Sequence, residues 1–158
     1  MRTTPLALAL GLFASTLAVP GVAQERAIDP ASIALVEQGK AALEAGNLDA
    51  ADDAFEAALV ADPANRAAFV AMGRVAIEQE LYGQAVAMTR KALKLEPTDR
   101  DALAVQTEAL VAMGAIERAK ANRAKLAKLC PTGCAQLTAS DERISLAAAA
   151  PATGERAN

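Results

Sequence analysis

The chain has 158 residues, a formal net charge of -3, 22% charged and 3% aromatic side chains, and no histidine. Without His there is no imidazole general base and no Ser-His or Cys-His nucleophile pair. No glycine-rich phosphate loop follows a strand pattern either, so neither catalysis nor a cofactor is expected. Abundant alanine with so few rings implies a core of closely packed helices.

Residues 1–23 read as a secretory signal. Arg2 supplies the positive start, residues 6–19 form an uncharged apolar run, and Gly21-Val22-Ala23 offers small residues to a signal peptidase. A membrane span needs about 20 apolar residues, and Pro20-Gly21 interrupts this run. Cleavage after Ala23 is therefore expected, giving a periplasmic protein that starts at Gln24 and has no stable membrane insertion. The residue immediately after the cleavage site is Gln24 and not Cys, which argues against a lipoprotein. Residues 24–31 form a lead-in.

From Ser32 onward the chain repeats itself. Pro63, Pro97 and Pro131 are evenly spaced, and if Ser32, Arg66 and Arg100 are first positions, each proline falls at position 32. Gly39 and Gly73 share position 8, Ala51, Ala85 and Ala119 share position 20, and Leu35, Phe69 and Leu103 share position 4. Each unit reads as two amphipathic helices that cross where the small residues lie, with Phe55 filling the space beside the first crossing. The proline ends the second helix of each pair, and Asn65 and Thr98 or Asp99 are placed to cap the next one. Fidelity falls along the array: Thr89 stands at position 24 of the second unit, where the turn glycine is displaced to Gly83. The third unit has Thr107 at position 8 and Arg123 at position 24.

This pattern over residues 32–133 resembles the tetratricopeptide repeat. The resemblance implies an all-α helical solenoid of three helix-turn-helix repeats (32–65, 66–99 and 100–133) with a C-terminal cap helix. A helical pattern at 134–147, with Leu137 and Ile144 a heptad apart, suits that cap. The tail, 148–158, is small and polar and is expected to be disordered.

Cys130 and Cys134 flank the Pro131-Thr132-Gly133 turn, short enough for their α-carbons to reach bridging distance. A structural disulfide is expected in an exported chain. A redox dithiol usually has two intervening residues where this pair has three, haem attachment needs a His, and a metal site would need further ligands.

In the family the concave groove is lined by positions 2, 5, 9, 12 and 13. The resemblance places Val36, Lys40, Leu43, Val70, Arg74, Ile77, Glu108 and Val111 there. The co-chaperone type of groove clamps a C-terminal carboxylate with Lys and Asn at positions 2, 5, 6 and 9. Positions 2 and 5 are mostly apolar here, so that clamp is missing. What remains is an apolar strip edged by Lys40 and Arg74, suited to a protein or peptide segment bearing a few acids. Charge also changes along the array, from seven acids against Lys40 in 32–65 to six bases against three acids in 100–133. The basic segment has no interleaved aromatics, which argues against nucleic acid. Two roles follow: a non-catalytic binding module or scaffold that uses the groove, or an assembly subunit of an envelope complex that docks by its convex flank or ends.

Overall fold

The computed structural model describes residues 26–149, which form seven α-helices. Helix α1 (Pro30–Glu44) pairs with α2 (Leu48–Ala61), α3 (Arg66–Glu78) with α4 (Tyr82–Leu95), and α5 (Arg100–Ala112) with α6 (Ile116–Leu129). Helix α7 (Ala135–Ala149) packs on both α5 and α6. The signal expected at 1–23 lies outside the described residues. So does the expected tail, except that residues 148 and 149 end α7.

Local chemistry explains the helix ends. Asn65 Oδ1 accepts from Ala67 N at 3.1 Å and Ala68 N at 3.4 Å, and Asp99 Oδ1 accepts from Ala102 N at 2.8 Å. Of the two candidate caps of α5, Asp99 holds the helix and Thr98 instead donates to Glu96. Helix α1 starts two residues before Ser32, because Asp29 caps it and Pro30 fills the first helical turn without needing a donor. Ser32 itself is buried and donates to Ala58 O at 2.6 Å.

Between the helices of a pair the chain must pass through a left-handed residue. Gly46 (φ 75°) and Gly114 (φ 73°) fill this role in the first and third repeats. In the second repeat it falls to Glu80 (φ 60°), and Gly83 lies inside α4. The turn glycine has therefore not been displaced to Gly83; a residue with a Cβ bears the strained conformation.

Positions 8 and 24 vary together. Phe55 is fully buried, and a Cβ built on Gly39 would stand 2.6 Å from ring Cδ1. Gly73 faces the smaller, buried Thr89. In the third repeat Arg123 leaves the crossing to pair with Asp141 of α7 at 2.6 Å, and the buried Thr107 fills position 8.

Two polar features mark the joints and loops of the array. Gln106 Nε2 donates to Thr89 Oγ1 at 3.1 Å, and Asn122 Nδ2 donates to Gln106 Oε1 at 3.0 Å, so a buried chain crosses α4, α5 and α6. The second feature recurs at the loop before each proline. The buried Asp62 carboxylate accepts from Asp29 N and Ala64 N, each at 3.0 Å, and Glu96 accepts from Thr98 N at 3.0 Å. At the same position of the third repeat stands Cys130, at disulfide distance from Cys134 with Cα atoms 5.8 Å apart.

Candidate functional site

Helices α1, α3, α5 and α7 supply most of the lining of two adjoining clefts of about 480 and 330 Å³ on one face of the array. The first runs from Leu43 across Arg74 and Ile77 to Glu108 and Arg143. The second lies between Lys40, Val70 and Arg74. A smaller hollow beside them includes Ile77, Glu108 and Val111. Seven of the eight residues placed in the groove by sequence thus border one of these hollows. The eighth, Val36, is a correction: at 3% exposure it packs in the core with Phe55, Met72 and Val75. Position 5 of the first repeat faces the neighbouring helices, because α3 closes over it. Val70, also buried, joins the core with Ala92 and Val105 while its edge borders the second cleft.

The electrostatics differ from the sequence expectation of an apolar strip edged by available cations. Lys40 Nζ donates to Glu37 at 2.7 Å on its own helix. Arg74 lies 3.8 Å from Asp101 of the next repeat, and Asp101 also accepts from Gln136 of α7 at 2.9 Å. Glu108 is bound by Arg143, again from α7. Glu44 and Glu78, both at position 13, line the clefts with no cation within salt-bridge distance among the described residues. Sequence reasoning missed Asp101, Arg143 and these two glutamates as groove residues. Position 13 could have revealed the glutamates, whereas Arg143 depends on how α7 docks.

The outer faces of α4 and α6 are basic, with exposed Arg90, Lys91, Lys94, Arg118, Lys125 and Lys128. That of α2 is acidic. Partial burial pushes the Asp52 carboxyl up, and the neighbouring Asp53 and Asp49 charges add to the shift. Among the described residues, no group of three His, Cys, Asp or Glu side chains could hold a metal ion, and no helix is long and apolar enough to cross a membrane.

Three stacked helix pairs with small residues at their crossings, a capping half-pair and a concave face make this a tetratricopeptide-repeat fold. Comparison with solved structures agrees. The chain is similar to the first TPR domain of the human RPAP3 protein, with a TM-score of 0.69 and 23% identity over 75% of this chain and 93% of that one. It is similar to the first TPR of Spaghetti (RPAP3) bound to the HSP90 peptide SRMEEVD, with a TM-score of 0.69 and 22% identity over 76% and 97% of the two chains. It is also similar to the Sgt2 TPR domain from Aspergillus fumigatus, with a TM-score of 0.67 and 21% identity over 84% and 93%. No protein-family model and no curated protein sequence matches the chain.

Proposed function

We propose that this protein is a non-catalytic protein-interaction module of the periplasm that holds a segment of a partner protein in its concave groove. The observation that carries the reading is the pair of adjoining clefts lined from successive repeats, with an apolar floor of Leu43, Val70, Ile77 and Val105. A structure of similar fold is bound to a peptide, which adds support. Export rests on the signal read in residues 1–23.

Capture from a periplasmic extract by the mature chain tests the proposal. Ala104→Trp fills the larger cleft and should abolish capture, while Arg118→Glu with Lys125→Glu on the outer face should leave it intact. The opposite pattern would replace the groove with flank docking, a reading favoured by the basic outer faces of α4 and α6.

A further inference from the structure

We infer that the segment held in this groove is basic: apolar residues on the floor, with lysine or arginine side chains directed at Glu44 and Glu78. The inference rests on the groove being the binding site and adds the chemistry of its occupant.

Charge complementarity carries the argument. The three cations bordering the clefts, Lys40, Arg74 and Arg143, are each held by a carboxylate: Glu37, Asp101 and Glu108 respectively. Each cation keeps unused donors, but the carboxylate beside it already offsets its charge, so an acidic ligand gains less there than at an unpaired cation. Along the two clefts Glu44, Glu78, Asp99, Asp101 and Glu108 outnumber these three cations, so the lining as a whole is acidic. Among the described residues, Glu44 and Glu78 have no cation within salt-bridge distance. They occupy the same position in consecutive repeats, Glu44 bordering the second cleft and Glu78 the first, each beside the apolar floor. A segment with basic residues spaced to meet them would gain two ion pairs without disrupting any.

Selection of short random peptides displayed on phage against the mature chain tests this, with bound peptides located by NMR shift mapping. Enriched sequences should carry Lys or Arg among apolar residues, map to α1, α3, α5 and α7, and lose about fivefold in affinity with each of Glu44→Gln and Glu78→Gln. Asp49→Asn with Asp53→Asn, on the outer face of α2, should leave affinity unchanged, which separates groove recognition from general attraction to an acidic protein. Groove-bound peptides that are acidic or uncharged would overturn the charge inference and keep the groove. Peptides that map elsewhere, or no enrichment at all, would overturn both.

Discussion

The Phe55 ring lies directly on the bare backbone of Gly39, so closely that no side chain fits between α1 and α2 at that point. Each residue is there because of the other. Phe55→Ala should cost about 3 to 5 kcal/mol, through lost burial and the cavity left behind. Gly39→Ala should also destabilise, because its Cβ overlaps the ring. In the double variant the two costs should fall well short of their sum. Urea titrations of all four proteins give the comparison, and strictly additive losses would rule out the contact.

Moving a glycine in the second repeat should stabilise the protein. Glu80→Gly relieves a left-handed backbone, and Gly83→Ala puts a Cβ into open space on α4. Each change is expected to contribute about 0.5 to 1 kcal/mol. The denaturation midpoint should rise in both, and a fall for Glu80→Gly would mean that the Glu80 side chain has a structural duty.

The loop between the first two repeats should weaken in acid. Backbone N–H donation from Asp29 and then from Ala64 holds the Asp62 carboxyl below its ordinary value of 3.8. A carboxyl lowered on folding stabilises the fold fully above that ordinary value and loses the contribution as pH falls through the lower folded one. Asp62→Asn should therefore be less stable than the parent at neutral pH and approach it in strong acid. A difference between the two that does not change with pH would contradict this.

Cys130 is nearly buried and joined to the turn that launches α7. Protein taken from an oxidising compartment should resist alkylation at both cysteines. After reduction, hydrogen exchange should quicken in α7 while α1 to α4 stay protected. Two alkylated thiols in native material would exclude the disulfide.

Export makes a separate prediction: N-terminal sequencing of protein recovered from its host's envelope fraction should begin at Gln24. A chain that still begins at Met1 would remove the case for the periplasm.

The spacing of Gly39, Ala51, Phe55 and Pro63 was enough to place the helices, because those residues act through local sterics that the chain carries with it. The groove was harder to read. Position 5 looked equivalent in every repeat, yet Val36 is enclosed by α3, and enclosure depends on how repeats stack. Lys40 and Arg74 looked free because their partners differ in kind: Glu37 is one turn away, whereas Asp101 comes from the next repeat. The buried Thr89, Gln106 and Asn122 chain was invisible for the same reason, since each of the three appears in sequence as a lapse from an apolar pattern.

That chain also means that the three repeats are not interchangeable. In a consensus array each unit presents the same surface to its neighbours, so units can be duplicated, deleted or reordered. Here the joint between the second and third repeats is keyed: Gln106 needs the Thr89 hydroxyl on one side and is needed by the Asn122 amide on the other. Putting a copy of the first repeat in the second place would set a phenylalanine where Thr89 stands and leave the Gln106 amide buried without its acceptor. The order of units is thus written into the joint itself.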